Sequence, residues 1–190
     1  MQSLCVFCGS RKGVLPQYEA AAHELGIYLA ENNIRLIYGA GNIGLMGVVA
    51  EAALSKGGEV VGVIPNFLMD REVGHKGLSQ LILTETMHER KQIMAEMSDG
   101  FLTLPGGFGT MDELCEILTW RQLGLHDRPI GLLNMEGYFD ALITLFNQMV
   151  IRGFVGADNR LLLFESTELF PLLDQMHAAH SSRDSQFEKG

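Results

Sequence analysis

Short, mainly apolar runs recur seven times along this chain, and longer amphipathic stretches separate them. Residues 4–8, 34–38, 59–64, 80–84, 100–104, 129–134 and 161–164 are brief and β-prone, and Pro65 and Pro105 stop two of them. Between them, residues 16–32, 44–56, 87–98, 110–123, 138–151 and 169–177 place apolar side chains at helical spacing, as with Tyr18, Ala22, Leu25 and Leu29. Strands without polar alternation, such as Val60 to Ile64, imply burial on both faces, which parallel sheets require. The pattern predicts an α/β fold: a Rossmann-like, doubly wound parallel sheet of about seven strands with helices on both faces. No linker or repeat interrupts it, so residues 1–180 are expected to form one Rossmann-like domain, and the polar residues 181–190 a mobile tail.

At 190 residues the chain can bury a full core without disulfides. No apolar run approaches the roughly 20 residues that span a bilayer, and residues 1–10 read as a first strand rather than a leader. A cytoplasmic protein is expected. The formal charge of −9 argues against a nucleic-acid or anionic-membrane partner, but a few backbone N–H groups at a helix start can still hold a phosphate. Cys5 and Cys8 form a C-x-x-C. No suitably spaced second pair completes a zinc site, and on a strand the two side chains point to opposite faces, so both read as buried apolar residues.

Ligands of such sheets bind beyond the carboxyl ends of the strands. Three glycine-rich turns fall there: Cys8-Gly9-Ser10, the stretch from Gly39 to Gly47, and Pro105-Gly106-Gly107-Phe108-Gly109-Thr110. Gly39, Gly41 and Gly44 have G-x-G-x-x-G spacing. They follow the second strand rather than the first, and Pro65, not an acidic residue, closes the next strand, so a dinucleotide is disfavoured. The third turn lacks Gly-Lys-Ser/Thr and is no Walker loop, but its glycines let backbone N–H groups converge on an anion. By spacing alone, Thr110-Met111-Asp112-Glu113 reads first as a capping box, with Thr110 at the N-cap and Glu113 at N3, and second as a carboxylate beside the anion cradle. Met87-His88-Glu89-Arg90-Lys91 opens a helix on which Arg90 and Lys91 point about 100° apart. It reads either as a solvated charged turn or as a site where the planar fork of Arg90 meets a phosphate or carboxylate. Asp70-Arg71-Glu72 follows Pro65.

His88-Glu89-Arg90-Lys91 followed by Pro105-Gly106-Gly107-Phe108-Gly109-Thr110-Met111-Asp112-Glu113 resembles the signature of the LOG ("Lonely Guy") family of cytokinin riboside 5′-monophosphate phosphoribohydrolases, which are often labelled lysine decarboxylases. The resemblance runs from Cys5 to about Met176 and includes Leu123-Gly124-Leu125-His126-Asp127. It implies a homodimer that hydrolyses AMP or N6-isopentenyl-AMP to free base and ribose 5-phosphate without a cofactor or metal. It places catalysis on Arg90 and Glu113. Substrate binding is expected of Glu72, Arg90, Lys91, Gly106, Gly107, Phe108, Gly109, Thr110, Met111, Asp112 and Glu113, together with Gly9, Ser10, Gly41 and Met87. Two residues depart from the family pattern. Ala40 stands where glycine is common, and would narrow the pocket slightly; Arg11-Lys12 add positive charge after Ser10.

Cleavage of an N-glycosidic bond builds positive charge on the ribose, which a carboxylate such as Glu113 would stabilise. Three alternatives stand beside this reading: a nucleotide carrier or sensor without turnover, a glycosidase acting broadly on nucleoside monophosphates, and a pyridoxal-phosphate decarboxylase. The last needs a Schiff-base lysine, and none of Lys12, Lys56, Lys76, Lys91 and Lys189 sits in a recognisable cofactor pattern. Met46, Met87, Met94 and Trp120 could line a base pocket, though core packing is the commoner fate at their spacing.

Overall fold

The structure, a computed structural model, describes residues 1–69 and 77–187, with side chains to residue 182. Seven strands form one all-parallel sheet: β1 (Ser3–Phe7), β2 (Arg35–Tyr38), β3 (Val60–Pro65), β4 (Gln80–Thr84), β5 (Phe101–Thr103), β6 (Ile130–Leu133) and β7 (Leu163–Ser166). Their order is β4-β3-β2-β1-β5-β6-β7, so the chain winds outward from β1 to β4 and then restarts at β5 on the other side of β1. Cys5 pairs with Ile37 on one flank and Phe101 on the other. The crevice between β1 and β5 is therefore the point where the winding reverses and a ligand has room.

The helices are α1 (Pro16–Glu31), α2 (Gly44–Ser55), α3 (Met87–Glu96), α4 (Phe108–Gln122), α5 (Asp140–Ile151), α6 (Ala157–Arg160) and α7 (Leu169–Phe187). One apolar layer joins α1, α2 and α7 to the sheet through Leu25, Leu29, Val49 and Leu172. The other joins α3, α4 and α5 through Met94, Leu114, Ile117 and Phe139. Alternate residues of β1 feed the two layers: Cys8 lies in the first and Cys5 in the second, both as free thiols. The opposite-face reading of the C-x-x-C thus holds. Burial, reinforced by the negative charge of Glu113, pushes both thiols well above their ordinary range.

The seven predicted strands are all present, each within two residues of its expected bounds. Three helices differ. The segment expected as a helix from residue 138 begins only at Asp140, after a 3₁₀ turn at Met135–Gly137 in which Glu136 and Gly137 take positive φ. The final helix continues ten residues beyond its expected end at His177, through a polar stretch with no glycine or proline to stop it. The short α6 was not anticipated.

Candidate active site

Loop positions at the carboxyl edge are fixed by backbone contacts between the first and third glycine turns. Gly9 N–H donates to the Pro105 carbonyl at 3.1 Å, and Leu45 N–H donates to the Gly9 carbonyl at 2.9 Å. Gly44 adopts a left-handed φ of 66°, where a Cβ would collide with the Ser10–Arg11 backbone at 2.2–2.5 Å, so the second turn can press on the first only without a side chain. These turns border a cleft of about 570 Å³ lined by Gly9, Ser10, Arg11, Lys12, Gly106, Gly107, Phe108 and Tyr138, among others. Phe108 is 96% exposed at its rim.

The start of α4 departs from the expected capping box. The N-cap is Gly107, three residues before Thr110, and it offers no side chain to the first-turn N–H groups. Thr110 lies inside the first turn, buried beneath Gly106, where a Cβ would meet its Oγ1 at 2.1 Å. Glu113 is then beyond reach of the helix start and is not a capping partner. The glycines at 107 and 109 face open space, so the first-turn donors are left to an external acceptor.

Glu113 instead faces Arg90. Arg90 descends from the first turn of α3, whose start is a capping arrangement that the sequence reading passed over. Thr86 accepts from Glu89 N–H at 3.1 Å, and the Glu89 carboxylate accepts from Glu85 N–H at 2.8 Å. The charged turn is thus not simply solvated. The Arg90 guanidinium is almost fully buried. Its Nε donates to the Val63 carbonyl at 3.1 Å, its Nη2 to the Gly39 carbonyl at 3.2 Å and its Nη1 to the Met87 sulfur at 3.7 Å. Glu113 Oε1 lies 3.8 Å from Nη2, an ion pair in distance though longer than a hydrogen bond. Both side chains are nearly withdrawn from solvent, at 7% and 12% exposure. Gly39 makes this possible, because a Cβ there would lie 1.9 Å from Nη2.

Lys91 goes elsewhere. Its ammonium sits between Asp112 and Glu116, 3.0 Å from each, and joins α3 to α4. Burial alone would lower its pKa, but the bonds from Glu116 and Asp112 outweigh that and hold it above the usual lysine range. A Schiff-base lysine needs the opposite shift. Lys12 is paired with Glu19 at 2.6 Å and Lys56 with Glu31 at 3.9 Å, while Lys76 and Lys189 fall outside the described residues.

The structure therefore brings Met87, Arg90 and Glu113 together, and separately gathers Gly9, Ser10, Gly106, Gly107 and Phe108 around the cleft, with Gly109 and Thr110 in the same helix start. Lys91 and Asp112 are bonded to each other, and Met111 packs against the α3–α5 layer. Gly41 is buried in the loop after β2, and Glu72 lies outside the described residues. Met46 and Met94 belong to the core. Ala40, at a φ of 61°, is fully buried with its methyl over Gly62, so it does not narrow the cleft as expected. Gly39 and Tyr138 went unrecognised as site residues. Gly39 falls in a glycine turn at the ligand-binding edge, but its spacing carries no mark of the guanidinium it makes room for. Tyr138 was read as a helix residue, although Glu136-Gly137 before it is a turn signal.

Residues 46–176 match the family described as "Possible lysine decarboxylase". The cytokinin riboside 5′-monophosphate phosphoribohydrolase LOG1 of Arabidopsis thaliana is 47% identical over 83% of this chain and 74% of its own length. The chain belongs to the LOG family. A second relative, the phosphoribohydrolase LOG4 of Arabidopsis thaliana, is 43% identical over 94% of this chain and 85% of its own. Among solved structures, the Moco carrier protein from Chlamydomonas reinhardtii matches with a TM-score of 0.70 at 18% identity, covering 95% of this chain and 98% of that one. The molybdenum cofactor binding protein from Rippkaea orientalis matches with a TM-score of 0.63 at 19% identity, covering 87% and 89%. At such identities these two share the fold with this LOG protein and no more.

Proposed function

We propose that this LOG protein hydrolyses the N-glycosidic bond of adenosine 5′-monophosphates, including N6-modified ones, to the free base and ribose 5-phosphate. The observation that carries this is the buried Arg90–Glu113 pair beside an uncapped, glycine-lined helix start at the sheet's switch point. The phosphate is held by the N–H groups of residues 107–110 and the hydroxyl of Thr110, which brings C1′ to Glu113. As the C1′–N9 bond breaks, its electron pair leaves with the base and positive charge grows on the ribose, where the Glu113 carboxylate stabilises it. Water supplies the hydroxyl to C1′. Glu113 takes the proton that water loses and returns it to solvent, from which the departing base takes one, so the carboxylate is regenerated and the protons balance. Arg90, anchored to two strand ends, holds Glu113 and offsets negative charge on the substrate. Glu72 is assigned to the ribose hydroxyls on family resemblance.

We place the enzyme in the cytoplasm as a homodimer. The free cysteines support the first, and the exposed apolar residues Phe108, Leu123 and Leu125 at the ends of α4 support the second. Among the described residues, no helix is long and apolar enough to cross a membrane. The test is release of free base from AMP and from N6-isopentenyl-AMP, followed by chromatography, with Glu113→Gln alongside and sedimentation for the assembly. Turnover in the wild type and a loss of at least about 100-fold in the variant are expected, on the scale of removing one transition-state group. Binding of AMP without release would replace this reading with that of a carrier, and a monomer in sedimentation would remove the dimer.

A further inference from the structure

The cleft has one hydrogen bond that no part of the proposed reaction uses. Tyr138 donates its hydroxyl to the Gly106 carbonyl at 2.5 Å, at the short end of the range for such bonds. The tyrosine is carried there by a purpose-shaped turn. Glu136 and Gly137 take φ of 53° and 65°, costly for the glutamate. Buried Asn134 holds the turn closed, accepting from Phe139 N–H at 2.7 Å and donating to Asp140 at 2.8 Å. The half-exposed Tyr138 ring packs edge-on against Tyr18 (5.9 Å) and Phe139 (4.8 Å), which holds the ring with its hydroxyl on the Gly106 carbonyl.

Its acceptor is the carbonyl of the peptide unit whose N–H belongs to Gly107. That unit starts the helix and lines the cleft. Thr110 lies under Gly106 on one side, while Gly107 opens onto empty space on the other. A hydrogen bond accepted at a peptide carbonyl draws charge through the amide and makes the N–H of the same unit a stronger donor. It also fixes the plane of a peptide that two consecutive glycines would otherwise leave loose.

We propose that Tyr138 is a positioning residue for the phosphate end of the cleft: its hydroxyl, bonded to the Gly106 carbonyl, aims and strengthens the Gly107 N–H toward a phosphate oxygen of the substrate. This rests on the proposed reading of the cleft as the site of a nucleoside 5′-monophosphate. It singles out ligands that carry the phosphate; those without it gain nothing from Tyr138.

The test compares wild type with Tyr138→Phe, which keeps the ring and removes the hydroxyl. Dissociation constants for AMP and for adenosine are measured by calorimetry, and KM and kcat for AMP by base release. AMP affinity is expected to weaken about three- to ten-fold, the scale of one lost hydrogen bond, with the change in KM rather than kcat and adenosine affinity unmoved. If phenylalanine disturbs the turn, 3-fluorotyrosine at position 138 keeps the shape and makes the hydroxyl a stronger donor, and AMP must then bind at least as tightly as to wild type. Equal weakening for AMP and adenosine would reduce Tyr138 to a structural residue, and no change for AMP would remove its role altogether. Either result overturns the proposal while wild-type turnover of AMP stands. A wild type that neither hydrolyses AMP nor prefers it to adenosine overturns the functional reading first and this one with it.

Discussion

Replacing Gly39 by alanine adds one methyl group at the point where the sheet and Arg90 meet. The new Cβ would lie 1.9 Å from Nη2 of Arg90 and 3.1 Å from its Cζ. An ordinary contact between such atoms is about 3.5 Å, so the end of the guanidinium must retreat by roughly 1.5 Å. It is the far end of a flexible side chain and can yield by a change of rotamer, so the fold is expected to survive. Its bonds do not survive unaltered. The 3.2 Å bond to the Gly39 carbonyl and the 3.8 Å approach to Glu113 both involve the displaced Nη2. Misplacing a reacting group by about 1 Å costs on the order of 100-fold in rate, or about 2.7 kcal/mol of transition-state stabilisation. Gly39→Ala is therefore expected to lower kcat/KM for base release from AMP by about 100-fold, while its melting temperature stays within about 5 °C of wild type, the shift set by one lost hydrogen bond in a domain of this size. Both are measured on one preparation, by chromatographic assay and by thermal melting. Wild-type kcat/KM in a folded Gly39→Ala would refute the claim that Arg90 must sit where it does.

Two further outcomes follow from helix capping and the charge network. Thr86→Ala removes the acceptor for Glu89 N–H and is expected to destabilise the protein by about 1 kcal/mol in denaturant titrations; an unchanged midpoint would mean that the helix carrying Arg90 is held by packing alone. Asp99 accepts N–H bonds from Gln2 at 2.7 Å and Ser3 at 3.0 Å, tying the first strand to the approach of β5. Partial burial would raise its pKa, but those bonds outweigh it and hold the carboxyl below its ordinary value. A depressed carboxyl stabilises the fold above its unfolded pKa and loses that contribution as pH falls through the folded value. Asp99→Asn should therefore melt below wild type at pH 5–7, and the gap should close below about pH 3.8; a gap that persists in acid contradicts the assignment.

The sheet could be read from the sequence because burial on both faces leaves an uninterrupted signature, as in β3 from Val60 to Pro65. Its doubly wound, parallel character followed from the alternation of strands with helices, and so did the placing of ligands beyond the carboxyl ends of the strands; the order β4-β3-β2-β1-β5-β6-β7, and with it the crevice between β1 and β5, depends on long-range pairing that no local pattern marks. What escaped the reading lay where two meanings share one spacing. Thr-x-x-Glu occurs at residues 86–89 and again at 110–113, but only the first is a cap. The second is displaced because Gly107 starts the helix early with extended φ and ψ, a choice set by packing of the loop on Gly9 rather than by the local residues. Gly39 and Tyr138 escaped for a related reason. Their partners, Arg90 and Gly106, lie 51 and 32 residues away, and nothing local marks a space kept for a distant guanidinium or a hydroxyl aimed at a distant carbonyl.

Arg90 and Lys91 share a peptide bond and almost nothing else. The turn of the helix sends one to the carbonyls at the ends of two strands and the other to the carboxylates of a neighbouring helix. Exchanging the two would preserve length, charge and composition, and a residue-by-residue comparison would score it as mild. Yet it would put a point charge without a planar fork where two carbonyls and a sulfur converge, and a bulkier cation into a joint fitted to an ammonium. For this dipeptide the order of the letters carries information that their identities do not, and neither position can take the other's residue without losing its partners.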